Sequence, residues 1–129
     1  ACGGGGIPVE RDAEQGHLQG LEAVIDKDRT SALLANGLGA ERLVITTGVD
    51  AVYLDFRTAP KRVARLTAAE AAAHLAAGQF PAGSMGPKIE AALWFLERGG
   101  REVIICHPDD LLAACEGRAG TLLTKEATP

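Results

Sequence analysis

Two short apolar runs restrict the fold of this chain more than any other feature of its sequence. The first run is Leu43–Ile45 and the second is Val103–Ile105. Both consist of aliphatic residues alone, and neither contains a polar residue. Such runs are typical of central strands in a parallel sheet that is covered on both faces. Segments with helical spacing separate the predicted strands, and this alternation predicts an α/β fold with a largely parallel sheet.

The composition suits one packed domain and excludes several classes of partner. The chain has 129 residues, of which 47% are hydrophobic, so a core of aliphatic side chains is expected. Its formal net charge of −4 supplies no basic field, and we expect no nucleic-acid partner. The apolar runs are too short to span a membrane. Three cysteines without paired spacing favour a reducing, cytoplasmic location over a disulfide framework.

A loop of small residues, Gly83–Gly86, opens directly into a predicted helix. Pro87 suits the first helical position, where no amide proton is needed, and Lys88 follows at once. Apolar residues then recur at the spacing of one buried helical face until Gly99. Free amides, the positive end of the helix dipole and an ammonium group would coincide there, which physically describes a phosphate site. An ordinary capped surface helix with a chance lysine is the alternative.

The sequence Asp26-Lys27-Asp28 places two carboxylates and an ammonium group between a predicted strand, Leu21–Ile25, and a predicted helix that includes Ser31. An aspartate is a common N-cap, which would explain one of the two carboxylates. Capping does not explain the alternation with Lys27, and a lysine between two carboxylates keeps its charge. We therefore favour a functional role for this segment.

The carboxyl end of the first apolar run is a second candidate ligand site. Thr47 and Gly48 follow this run on the side where open α/β sheets bind ligands. A further short strand is predicted at Ala51–Leu54. Tyr53 in this strand is either a half-buried packing residue or a wall beside a flat ring.

Helical spacing also predicts which residues face the core. In the helix after Asp28 the predicted inward residues are Ser31, Leu34, Ala35 and Leu38. In a short helix at residues 109–115 they are Leu111, Leu112 and Cys115. Thr67 and Glu70 have the spacing of a capping box at the start of an alanine-rich helix. The charged segment from Arg57 to Arg65 has a loose register and receives no functional role.

Three stretches of the chain agree with one known family, and two more fit the same pattern. They are Gly3–Val9, Ala23–Asp28 and Ala82–Lys88, together with Thr47–Tyr53 and Glu116–Thr121. On these motifs the sequence resembles carbamate kinase, a member of the amino-acid kinase superfamily. The resemblance covers nearly the whole chain, in order, and matches the carboxyl-terminal portion of the enzyme. It implies that residues 1–129 form the nucleotide-binding part of an αβα sandwich whose amino-terminal part is absent.

The resemblance also implies an activity, namely phosphate transfer between ATP and carbamate, giving ADP and carbamoyl phosphate, with Mg²⁺. The family pattern places Lys27 and Lys88 on the phosphates. It makes Asp28 the central acidic residue that holds the lysines in place, with Asp26 as its supporting partner. The implied binding residues are Asp26, Thr47, Gly48, Tyr53, Gly83, Ser84, Met85 and Gly86 for the nucleotide, and Gly4 and Gly5 for the substrate.

Other functions within the same fold stay open at this point. One is a non-catalytic nucleotide-binding or sensing module, and another is a different acylphosphate-forming kinase. The sequence contains no P-loop motif, and its three histidines suggest no hydrolase triad. A sheet edge left exposed where the amino-terminal part belongs would pair with another copy, so we expect a homodimer. The kinase interpretation requires the ammonium groups of Lys27 and Lys88 to converge on one polyphosphate.

Overall fold

A computed structural model describes residues 4–14 and 16–126 of the chain. Gly3, the first residue of the first family motif, lies outside the described residues. The strands are β1 Val9–Arg11, β2 Leu18–Gly20, β3 Arg42–Thr46, β4 Val52–Leu54, β5 Lys61–Val63, β6 Arg65–Thr67, β7 Glu102–Cys106 and β8 Thr121–Thr124. The α-helices are α1 Lys27–Gly37, α2 Ala68–Ala76, α3 Met85–Glu97 and α4 Leu111–Cys115, the last preceded by a 3-10 turn at Pro108–Asp110.

The central sheet has four strands in the order β3-β7-β8-β6. β3 pairs with β7 and β6 pairs with β8 in parallel, whereas β7 and β8 are antiparallel. Two separate two-stranded antiparallel sheets, β1-β2 and β4-β5, complete the strand pairing of the described residues. The prediction of an α/β fold with a largely parallel sheet is therefore confirmed. The two apolar runs form neighbouring strands, but only β7 is internal, whereas β3 lies at the edge of the four-stranded sheet, so the prediction of a central strand is wrong for Leu43–Ile45.

The apolar run of β7 contributes to two cores, because successive side chains of a strand point to opposite faces of the sheet. Val103 and Ile105 face the larger core, which α1, α2 and α3 cover. Ile104 and Cys106 face the other side and pack with Ala114 of α4. Helices thus lie on both faces, as the αβα expectation requires. Among the described residues, no helix is long and apolar enough to cross a membrane.

The predicted strand at Leu21–Ile25 is wrong, because the strand in this region is β2, which ends at Gly20. β2 forms a hairpin with β1, and the amide of Leu21 donates to the Pro8 carbonyl at 3.0 Å. Beyond that bond the chain leaves the hairpin, and Val24 is 97% exposed. A short apolar run predicts a strand only where neighbouring backbone is available to pair with it.

The buried face of α1 also differs from the predicted one. Leu34 and Leu38 are exposed, whereas Asp28, Ala32 and Ala35 are buried. α1 is held against α3 by polar contacts at both ends: Asp28 pairs with Lys88, and the Asn36 side-chain amide donates to the Phe95 carbonyl at 3.1 Å. These contacts turn the alanine side of α1 inward and the leucines outward.

The predictions for α2 and α4 had different outcomes. The capping box of α2 is confirmed, since the Thr67 hydroxyl accepts from the Glu70 amide and the Glu70 carboxylate accepts from the Thr67 amide at 2.8 Å. The bonds that the Thr67 amide and hydroxyl donate to the Glu70 carboxylate lower the pKa of Glu70. In α4, by contrast, Leu111 and Leu112 are exposed and Ala114 is the buried residue. The predicted inward position is therefore wrong for the two leucines, whereas Cys115 is half-buried and packs against the second core as predicted.

Candidate functional site

A buried ion pair joins the first turns of α1 and α3. The Lys88 Nζ donates to Asp28 Oδ2 at 2.8 Å, and the two side chains are only 10% and 9% exposed. Asp28 is the second residue of α1 and Lys88 the fourth residue of α3, so each helix brings its charged group from its amino-terminal end. The structure therefore brings together two of the three residues predicted to be catalytic.

The third of these residues, Lys27, is exposed and directly precedes Asp28 at the start of α1. Asp26 is the N-cap of this helix, and its Oδ1 accepts from the Arg29 amide at 2.8 Å. The simpler interpretation of one aspartate as a cap is therefore confirmed for Asp26. Asp28 lies between the two lysines, adjacent to Lys27 in the chain and bonded to Lys88 in space.

The start of α3 differs in detail from the expected cluster of free amides. The amides of Ser84 and Gly86 both donate to the Pro81 carbonyl, at 3.2 and 2.9 Å, and Pro87 has no amide proton. The Ser84 side chain makes no capping bond, and Gly83 is exposed. The Lys88 ammonium turns inward to Asp28. Fewer free hydrogen-bond donors than expected are therefore left at the amino-terminal end of α3.

A glycine of the first predicted loop lies beside the Asp26–Asp28 segment. A Cβ atom added at Gly5 would lie 2.2 Å from the carbonyl oxygen of Ile25, a distance that no side chain tolerates. Gly4 is exposed, with open space around it. Only glycine permits this close approach at position 5, so the loop and the start of α1 are neighbours.

A cavity of about 270 Å³ lies between the carboxyl end of β3 and the start of α3. Five of the residues predicted to bind the nucleotide line it, namely Thr47, Gly48, Tyr53, Ser84 and Met85. The sequence prediction missed Phe56 and Pro81, which also line the cavity. Phe56 packs edge-on against Tyr53, with ring centroids 6.0 Å apart. Residues from separate parts of the chain therefore converge on one partly aromatic pocket.

A small polar network holds the Tyr53 wall of this cavity. The Tyr53 hydroxyl donates to Asp50 Oδ1 at 2.9 Å, and the Arg62 Nε donates to Asp50 Oδ2 at 3.3 Å. Arg62 also donates to the Gly120 carbonyl at 3.3 Å, which ties the network to the start of β8. The hydrogen bond from Tyr53 lowers the pKa of Asp50, and the same bond raises the pKa of Tyr53. The sequence assigned no role to Arg62, and no local signal would have found one.

Comparisons with known proteins identify the family of this chain. The family model described as "Amino acid kinase family" matches residues 2–107. This chain belongs to the amino acid kinase family. The resemblance drawn from the motifs is therefore confirmed.

Individual members of the amino acid kinase family show how much of a longer protein this chain matches. It is 48% identical over 122 residues to a carbamate kinase of Halobacterium salinarum, with 94% of this chain and 39% of that protein covered. A carbamate kinase of Staphylococcus haemolyticus is 46% identical, with 97% and 40% covered. The structure of a Giardia lamblia carbamate kinase bound to AMP-PNP superposes with a TM-score of 0.89 at 35% identity, covering 95% of this chain and 42% of that one. The chain therefore spans about two fifths of the length of these relatives.

Within residues 4–14 and 16–126, no group of three or more His, Cys, Asp or Glu side chains could hold a metal ion. Asp26 caps α1 and Asp28 pairs with Lys88.

Proposed function

We propose that this chain forms the nucleotide-binding part of a carbamate kinase, which transfers phosphate between ATP and carbamate in either direction. The observation that carries the proposal is the position of the buried Asp28–Lys88 pair beside the aromatic cavity. Met85 lines the cavity and Lys88 follows three residues later in α3, a rise of about 4.5 Å along the helix. The aromatic cavity and the charged group of Lys88 are thus less than one turn of α3 apart.

The two parts of this site match the two parts of a nucleotide. Tyr53, Phe56 and Met85 offer apolar walls suited to a flat base. The phosphates would extend toward the start of α1, where Lys27 is exposed and Asp28 orients Lys88. The similarity to a carbamate kinase bound to AMP-PNP supports this placement of ATP or ADP.

Phosphoryl transfer needs positioning and neutralisation of charge around the moving group, and little covalent chemistry from the protein. In the proposed mechanism Lys27 and Lys88 supply positive charge, and Asp28 keeps the Lys88 ammonium in a fixed direction. Fixed cations act most strongly where water is excluded, and Lys88 is buried with Asp28, whereas Lys27 is exposed. Mg²⁺ would add further neutralisation, held mainly by nucleotide phosphates, because it commonly uses only one or two protein carboxylates.

The carbamate side of the reaction depends on more polypeptide than the chain contains. The relatives carry about three fifths of their length outside the match, since 39% and 40% are covered. Gly4 and Gly5, beside Ile25, are the residues of this chain that we propose near the transferred group. Turnover is therefore proposed for the longer protein, and nucleotide binding for this chain.

Calorimetric titration with ADP and MgCl₂ tests the nucleotide site directly. We expect Lys27→Met to weaken ADP binding at least about tenfold, since a charge-assisted contact to phosphate is lost. Lys125→Met is the matched control, because this exposed lysine lies near the other end of the chain. Equal affinities for the two variants would remove Lys27 from the site. ADP binding without any turnover in a full-length protein carrying this sequence would instead favour the non-catalytic module.

A further inference from the structure

The hairpin of β4 and β5 carries the Tyr53 wall of the nucleotide cavity but is not part of the central sheet. Among the described residues its two strands pair with each other and with no other strand. The register places Val52 opposite Val63 and Tyr53 opposite Arg62. The position of Tyr53 therefore depends on the contacts that attach this hairpin to the rest of the molecule.

Thr121, the first residue of β8, provides two of these contacts with one hydroxyl group. It is 0% exposed, and its Oγ1 accepts from the Val52 amide at 2.8 Å and donates to the Val63 carbonyl at 2.6 Å. Val52 and Val63 are register partners at the open end of the hairpin. A single buried hydroxyl thus holds both strands, and a valine of nearly the same shape could make neither bond.

Two further hydrogen bonds attach the hairpin beside Thr121. The Arg62 side chain donates to the Gly120 carbonyl at 3.3 Å. The Leu122 amide donates to the carbonyl of Ala64, the residue that follows β5, at 3.0 Å. We call residues 120–122 the hairpin anchor.

The hairpin anchor is itself held against the core strand β7. Thr121 pairs with Ile105, and Gly120 has a φ of +74°. A Cβ atom added at Gly120 would lie 2.8 Å from the Ile105 carbonyl oxygen, so the backbone passes too close to β7 for any side chain. The family motif Glu116–Thr121 ends here, although none of its residues lines the nucleotide cavity. Attachment of the hairpin gives this motif a physical purpose.

We propose that Thr121 is a positioning residue of the nucleotide site, whose hydroxyl holds the β4–β5 hairpin so that the Tyr53 wall is in place before the nucleotide binds. A wall that is already ordered adds no ordering cost to binding, so loss of the anchor lowers the affinity for the ligand. The link to the nucleotide rests on the proposed function, whereas the attachment of the hairpin does not.

Amide hydrogen exchange, followed by NMR in the protein without nucleotide, tests the attachment. In Thr121→Val we expect the Val52 amide to exchange at least about tenfold faster, because it loses its buried acceptor. The amides of the β3–β7 pairing should keep their protection. Thr124→Val is the matched control, since Thr124 lies in the same strand and its hydroxyl donates to the Glu126 carbonyl instead.

Calorimetric titration with ADP and MgCl₂ tests the positioning role. We expect Thr121→Val to bind ADP at least about tenfold more weakly, and Thr121→Ser, which keeps the hydroxyl, to stay within about threefold of the unchanged chain. Thr124→Val should bind like the unchanged chain.

Arg62→Met is the second variant, and it carries the test if circular dichroism shows that Thr121→Val does not fold. The Arg62 side chain is 42% exposed, so the fold should tolerate its loss, while the bond to Gly120 disappears. We expect about threefold faster exchange of the Val52 amide and about threefold weaker binding of ADP.

Three results would overturn the proposal. Unchanged exchange of the Val52 amide in Thr121→Val would show that the hydroxyl does not hold the hairpin. Faster exchange with an ADP affinity equal to that of Thr124→Val would limit Thr121 to a structural role. Equal losses of affinity in Thr121→Ser and Thr121→Val would assign the effect to packing of the methyl group. If the unchanged chain binds no ADP, the proposed function fails and the nucleotide role of Thr121 fails with it, whereas the exchange of Val52 still decides the attachment.

Discussion

Breaking the buried pair between Asp28 and Lys88 is the most informative perturbation that the structure offers. The Lys88→Met variant removes the ammonium group and keeps a side chain of similar length. At 2.8 Å and an effective dielectric constant of about 20, the direct attraction between the two charges is about 6 kcal/mol. Desolvation of both groups offsets most of this attraction in the folded protein.

The variant loses the attraction but keeps the desolvated carboxylate. Removing one partner of a buried pair typically costs about 3–5 kcal/mol for this reason. We therefore expect Lys88→Met, and likewise Asp28→Asn, to lower the free energy of unfolding by about 3–5 kcal/mol. For a domain of 129 residues that loss corresponds to roughly 10–20 °C in the melting temperature.

Equilibrium unfolding in urea measures this cost, and a double-mutant cycle isolates the pair. The double variant Asp28→Leu with Lys88→Met should recover most of the loss, because no unpaired charge remains buried. Arg29→Met is the control, since Arg29 pairs with Glu90 across the same two helices but the side chains are 68% and 43% exposed. That pair should contribute much less to stability, because solvent screens the attraction between its charges. Equal losses for the Lys88 and Arg29 variants, or strict additivity in the cycle, would refute the reasoning.

Three further predictions concern single contacts. Gly100→Ala should destabilise the protein by about 1–3 kcal/mol in urea unfolding, because the added Cβ would lie 2.2 Å from the buried Phe95 ring. Gly37→Ala is the control and should be neutral or stabilising, because the space around Gly37 is open. An equal effect at both positions would contradict this. Asp50→Asn should return the pKa of Tyr53 toward the ordinary value of about 10, because the Asp50 carboxylate raises this pKa. Ultraviolet titration of the single tyrosine measures the change. An unchanged pKa would show that Asp50 and Tyr53 are not hydrogen-bonded. Because the capping box lowers the pKa of Glu70, the ionised Glu70 carboxylate stabilises the fold above about pH 4.3, and this stabilisation is lost as the pH falls through the lower folded-state pKa. In the Glu70→Gln variant the urea midpoint should not show this loss. Parallel pH profiles of the urea midpoint for the unchanged protein and the variant would contradict the prediction.

Local sequence was sufficient where one element could form without knowledge of the others. The apolar runs predicted the strands β3 and β7, because a strand packed on both faces needs apolar residues at successive positions. The central position was predicted correctly for β7 and wrongly for β3, which lies at the edge of the four-stranded sheet. The capping box at Thr67 was predicted for the same kind of reason, since all its hydrogen bonds join residues three positions apart. The family motifs also predicted five of the residues that line one cavity.

The tertiary structure decided the rest, because the deciding contacts join distant residues. Lys88 turns inward only because Asp28, 60 positions earlier, lies opposite it. The contacts between α1 and α3 expose Leu34, which its own helical spacing placed inside. Arg62 acquires its position from Asp50 and from Gly120, 58 residues away. Periodicity orders residues around one helix or strand, but only the packing of neighbouring elements determines which side of that element is buried.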